Sequence, residues 1–173
     1  MRNFTAAAMR RLSAVSAILA ASAMASTAFG ATTSSNLEVS ATVSANCTAS
    51  TTPVAFGTVD VIGNSDVDGT GGLAVTCTSG TAWTASADTG AGTGATLATR
   101  KMANGANLLN YVLYTDSERT SIWGDGAGGT TATFSGTGTG SAQSSTIYAR
   151  VPTGQTSLPA GDYTDTVTVT VTY

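Results

Sequence analysis

The chain has 173 residues with seven basic and ten acidic side chains, no histidine and only two cysteines. No basic cluster follows the first eleven positions, so nothing in it would draw phosphate or an anionic membrane surface, which argues against a nucleic-acid partner. Without histidine a serine or cysteine nucleophile lacks its usual base, so no enzymatic activity is expected.

In chain order, Arg2, Arg10 and Arg11 precede an apolar stretch from Leu12 to Ala25 that is too short to span a bilayer, and Ala28 and Gly30 satisfy the small-x-small rule. Residues 1–30 therefore read as a secretory signal peptide, and residues 31–173 as one mature domain. No other segment is expected to cross a bilayer. The mature chain keeps four basic residues against ten acidic ones, a net charge of −6.

The first element expected in it is a long alternating run in which Leu37, Val39, Ala41, Val43, Ala45 and Cys47 interleave with Asn36, Glu38, Ser40, Thr42, Ser44 and Asn46. Further strands are expected over Val54–Ile62, Leu73–Cys77, Ala82–Ala87, Leu108–Thr115, Thr131–Phe134 and Thr146–Val151. Glycine-rich clusters such as Gly63–Gly72, Gly90–Gly94 and Gly124–Gly129 punctuate these runs. Thr96–Ala103 could take a helical turn. The last element is GDYTDTVTVTVTY, with Val167, Val169, Val171 and Tyr173 on one face and threonines on the other. Glu, Lys and Leu are scarce, and about eight short β segments predict an all-β sandwich with an immunoglobulin-like strand count. Recurrent aromatics, among them Phe56, Trp83, Tyr111, Trp123, Phe134 and Tyr148, supply a core and argue against disorder.

Few residues suggest chemistry. In an exported chain, Cys47 and Cys77 read as a disulfide, since two thiolates without histidine make half of a zinc site at best. Asn64, Asp66, Asp68 and Gly69 match the first half of a calcium-binding loop, but its twelfth position is Val75 rather than glutamate, so an Asx-rich turn is the preferred reading. The carboxylate pairs Asp66/Asp68, Asp116/Glu118 and Asp162/Asp165 lie in turn-like sequence. No cofactor or metal site is expected. Tyr111 and Tyr114, three residues apart, fall on opposite faces of one strand, which is no platform for a sugar.

LNYVLYTDSERTSIWGDG (Leu109–Gly126), the VTC at Val75–Cys77, the FG at Phe56–Gly57 and the closing GDYTDTVTVTVTY together resemble the spore coat protein U domain family, which includes subunits of archaic chaperone–usher pili. The resemblance implies an incomplete immunoglobulin-like β-sandwich, lacking its seventh strand and completed by donor-strand complementation. It further implies a periplasmic chaperone, an outer-membrane usher and other copies of the chain or related pilins as partners. Residues 31–44 would then be the donor segment, with Leu37, Val39, Ala41 and Val43 entering a neighbour while the part around Cys47 joins the subunit's own first strand. Val167, Val169, Val171 and Tyr173 would border the acceptor groove. The implied role is a structural subunit of a surface pilus, exported through the periplasm and supporting adhesion and biofilm formation. The alternatives are a secreted β-sandwich coat protein that caps its own edges and a carbohydrate-binding surface module.

Overall fold

The structure is a computed structural model describing residues 29–173, in which two units are distinguished, Met1–Ser40 and Ala41–Tyr173. The predicted signal peptide falls outside the described residues except for Phe29 and Gly30. Of the first unit, residues 29–40 carry neither helix nor strand and are exposed throughout.

The second unit is built almost wholly of strands: β1 (Cys47–Ala55), β2 (Val67–Cys77), β3 (Ala82–Ala87), β4 (Arg100–Asn104), β5 (Asn107–Tyr114), β6 (Phe134–Thr137), β7 (Gln143–Val151) and β8 (Val169–Thr172). They form a five-stranded sheet in the order β1-β2-β7-β5-β4 and a three-stranded sheet in the order β6-β3-β8, antiparallel throughout. The core lies where their inward faces meet. Leu73, Val75 and Cys77 from β2, Leu109, Tyr111 and Leu113 from β5, and Ile147, Ala149 and Val151 from β7 face Trp83, Ala85 and Ala87 from β3, with Trp123 added from a connecting segment. Period-two alternation puts every second residue of β2, β3, β5 and β7 inward over most of their length, and burying those side chains drives the two sheets together. The result is an immunoglobulin-like two-sheet sandwich.

Several expected boundaries move. β3 coincides with the sequence reading, and β5 and β7 contain nearly all of the expected runs. The strand expected over Val54–Ile62 is only the last two residues of β1; a loop follows, in which the Asp60 carboxylate accepts from the Ile62 and Gly63 amides. Thr96–Ala103 is not helical, for its second half is β4, hairpin-paired with β5 through Arg100↔Tyr111 to Asn104↔Asn107. β2 starts six residues before its expected start, inside what reads as a glycine-rich turn. Gly69 and Gly71 are needed there because β1 bends over β2 as its register shifts: a Cβ on Gly71 would lie 2.7 Å from Val54 Cγ2, and one on Gly69 would lie 3.0 Å from the Phe56 ring. That close approach seats Phe56 edge-on to Tyr111, with ring centroids 6.1 Å apart.

Cys47 and Cys77 are bonded, and they are the directly opposed pair at one end of the β1–β2 ladder, with Cα atoms 4.1 Å apart. Mature protein titrated for thiols under denaturing, non-reducing conditions should show none, and two free thiols would contradict the pairing. Closing a loop of this length should contribute roughly 3–4 kcal/mol, so reduction is expected to lower the urea midpoint clearly.

Candidate functional site: the unpaired strand edges

Four strands stand at sheet edges among the described residues: β1 and β4 in the large sheet, with β4 partly covered by the Ala103–Thr164 bridge, and β6 and β8 in the small one. The two nearest the chain's ends concern a donor or acceptor strand most directly. β1 pairs only with β2, and β8 only with β3. β1 buries little: Thr48 through Pro53 are exposed, and Ala49 and Thr51, opposite the buried Val75 and Leu73, are small. β8 is amphipathic as its sequence requires. Val169 lies opposite Ala87 and Val171 opposite Ala85, half-buried and packed with Val167 against the core, while Thr170 and Thr172 face solvent. Tyr173, the last of the four residues expected on the inward face, is 56% exposed. An apolar strand face beside an open edge can accept another strand, its main chain supplying hydrogen bonds and its alternate side chains supplying contacts.

The chain leading into β8 spans both sheets. Thr164 forms a two-hydrogen-bond bridge with Ala103 of β4, at 2.8 and 3.1 Å, before the chain reaches β3. Inward alternation continues upstream as Tyr163, Asp165 and Val167, so Asp165, expected in a turn, points into the sandwich. Its Oδ2 accepts the Tyr111 hydroxyl at 2.6 Å, and its Oδ1 accepts the Ala91 and Thr166 amides at 2.8 Å. Burial, with the carboxylate adding to it, pushes the Tyr111 phenol far above its ordinary range. Asp88 supplies a second tie, accepting the Thr168 and Gly90 amides at 2.9 Å. Beside it Arg100, 0% exposed, donates to three carbonyls, those of Asp88, Leu97 and Trp123. A fully buried arginine with carbonyl partners leaves no trace in sequence periodicity. Arg100, Asp165 and Asp88 are the positioning residues that sequence reasoning missed.

The other predicted features settle differently. Asp66 and Asp68 face arginine rather than an open cation site: Asp68 accepts Arg150 Nε and Nη2 at 2.7 and 3.0 Å, and Asp66 lies 3.3 Å from Arg150 Nη1. Asp66 also accepts the Thr153 amide. Tyr114 does lie on the opposite face from the buried Tyr111, directly across from Tyr148. One face of the Tyr148 ring is covered by the Arg119 guanidinium, 5.7 Å from the centroid, which also pairs with Asp68 at 3.2 Å. The segment Leu37–Val43, expected to alternate as a strand, has no strand partner among the described residues: Leu37, Val39 and Val43 are 87%, 87% and 83% exposed, and the first strand, β1, begins at Cys47.

The hydrogen bond from Arg150 holds the Asp68 carboxyl below its ordinary value. For Asp88 burial works upward, but the Thr168 and Gly90 hydrogen bonds and the nearby Arg100 charge outweigh it and hold that carboxyl low as well. A carboxyl whose folded pKa is depressed contributes stability that is present above its unfolded pKa and lost as pH falls through the folded one. No histidine titrates in between. The melting temperature should therefore stay flat from about pH 5 to 8 and fall below about pH 4. A drop centred near pH 6.5 in a calorimetric series would contradict this.

A family model described as the Spore Coat Protein U domain matches residues 33–170. The chain belongs to the Spore Coat Protein U domain family. "Protein U" of Myxococcus xanthus is 37% identical over 111 residues, which is 61% of this chain and 60% of that protein, so the match spans less than two thirds of the relative's length. Among solved structures, a chaperone–tip adhesion subunit pre-assembly complex from the archaic chaperone–usher Csu pili of Acinetobacter baumannii contains a similar chain. It matches with a TM-score of 0.55 and 23% identity, over 76% of this chain and 40% of that one. At this identity the likeness concerns the fold, and it agrees with the sandwich read from the strand order. No described helix is long and apolar enough to cross a membrane.

Proposed function

We propose that this Spore Coat Protein U domain protein is a structural, non-enzymatic subunit of a chaperone–usher surface fibre, exported through the periplasm and polymerised by donor-strand exchange. Residues 31–44 act as the donor segment, with Leu37, Val39, Ala41 and Val43 inserted into the next subunit. Val167, Val169, Val171 and Tyr173 border the groove that receives a donor. A periplasmic chaperone occupies that groove first, and the next subunit replaces it at the outer-membrane usher. The fibre supports adhesion and biofilm formation.

One observation supports this reading more than any other: the chain carries an apolar alternating segment that is exposed throughout, and also an amphipathic strand, β8, with an unpaired edge. Leu37 to Val43 offers four apolar side chains at two-residue spacing, and Val167 to Tyr173 offers four at the same spacing. Both spans run about 20 Å, six steps of roughly 3.3 Å. In the test, chain expressed with a chaperone and usher is run unboiled on a non-reducing gel beside electron micrographs of the cells. A ladder of polymers and surface fibres is expected. A stable monomer that needs no partner would overturn the reading.

The family's description and the 37% identical "Protein U" also fit a second reading, a coat protein that closes its own edges. That protein would give the monomer result.

A further inference from the structure

The disulfide sits where the chain enters the domain. Exposed residues without secondary structure run up to Asn46, and Cys47 is both the first residue of β1 and one half of the bond. Its partner Cys77 is buried, at the end of β2. β2 is paired on both sides, with β1 and with β7, and carries Leu73 and Val75 into the core. β1 is the opposite kind of strand. It lies at the edge, Thr48 to Pro53 are exposed, and the nearest inward-packed side chains are Val54 and Phe56 at its far end. Between Cys47 and Val54, β1 is therefore held by one ladder of hydrogen bonds, which could open in turn from its first residue.

We infer that the Cys47–Cys77 bond is a load path: tension arriving through the N-terminal segment passes at Cys47 directly into the central strand β2, so that β1 never bears it. This rests on the fibre reading, in which each subunit is pulled through its donor segment. The placement, rather than the mere presence, of the crosslink carries the inference. A bond nearer Val54 would close a shorter loop and leave the peelable stretch of β1 in the line of force. With the bond at the first residue, everything from Thr48 to Thr76 is shielded, and extension requires dislodging Cys77 with the buried strand behind it.

The test pulls the mature chain, residues 31–173, by its two ends in an optical trap, first oxidised and then after a phosphine reductant is added to the already folded protein. Reduced chain should gain an early extension of about 25 Å, seven residues from Cys47 to Pro53 at roughly 3.3–3.6 Å each, at a force below that of the main unfolding event. Oxidised chain should lack that step. The fully unfolded length should grow by about 100 Å on reduction, which confirms that the bond has opened. A Cys47→Ser/Cys77→Ser chain should reproduce the early step without reductant. Reduced chain that opens in one event at the oxidised force would overturn the inference. Polymerisation is read separately on the unboiled gel, so a monomer with the reductant-dependent step would remove the fibre and keep the load path.

Discussion

Subunits carrying Val39→Asp are expected to fold, form their disulfide and co-purify with a chaperone, yet make no polymers, whereas Ser40→Asp subunits should polymerise almost as the parent does. Val39 is 87% exposed in the free chain, and its neighbour Ser40 is exposed as well. An added carboxylate at either position is therefore solvated before assembly, and its effect on subunit stability should stay within about 0.5 kcal/mol. On the proposed exchange, the two positions diverge only when the segment becomes a strand in a neighbour. Successive side chains then point to opposite faces, so Asp at position 39 must leave water while Asp at position 40 remains in it. A burial cost of about 4 kcal/mol per junction is roughly a thousandfold in occupancy, and a polymer compounds that loss at every joint. Size-exclusion of periplasmic extracts and a surface blot read the outcome. If Val39→Asp simply unfolds the monomer, the segment belongs to the subunit's own core. If both variants polymerise, it is not the donor.

What the sequence discloses and what it hides divide along physical lines. β3 is legible because Trp83, Ala85 and Ala87 alternate cleanly with polar neighbours and nothing interrupts them. Tyr111 and Tyr114 are correctly separated onto two faces by the same parity argument. The start of β2 is hidden because Gly69, Gly71 and Gly72 are turn residues by propensity, and it is their pairing with β7, under the close crossing of Thr52, Val54 and Phe56, that makes them strand residues. β4 is hidden for a different reason. Arg100 and Lys101 are a charged pair that reads as surface, yet Arg100 is buried because Asp88, Leu97 and Trp123 converge their carbonyls on it from segments up to 23 residues away. At the candidate site, period two reveals the apolar face of β8 and of the N-terminal segment. It cannot reveal that one run stays unpaired while the other is held, for that depends on partners dozens of residues distant. Asp165 is the clearest case: in sequence it sits between threonines after a Gly-Asp pair, and its inward orientation makes sense only once Tyr111, 54 residues away, is opposite.

Asp165→Ala is expected to destabilise the domain by about 2–3 kcal/mol, since it removes the acceptor for the Tyr111 hydroxyl and for two backbone amides at once. The buried phenol is then left without a partner, and an unpaired buried donor is costlier than an absent one. Tyr111→Phe alone should cost about 1.5 kcal/mol, and the double variant should cost less than the two singles together by about 1 kcal/mol or more, because the second change removes the group that the first had orphaned. Asp162→Ala, three residues earlier at an exposed position, is the control and should stay within about 0.5 kcal/mol. Urea unfolding of the four chains gives the cycle. Additivity within 0.5 kcal/mol would show that the Tyr111–Asp165 bond does not hold this segment. The consequence for assembly follows from position. Asp165 lies four residues before β8, and with the Ala103–Thr164 bridge and the Asp88–Thr168 bonds it fixes how the strand leaves the large sheet and joins the small one. Freed at that point, Val167, Val169 and Val171 would no longer present one aligned face to an incoming strand. Asp165→Ala subunits should therefore be poor chaperone partners even at temperatures where they remain folded. Normal co-purification of a destabilised Asp165→Ala subunit would confine the network to stability alone.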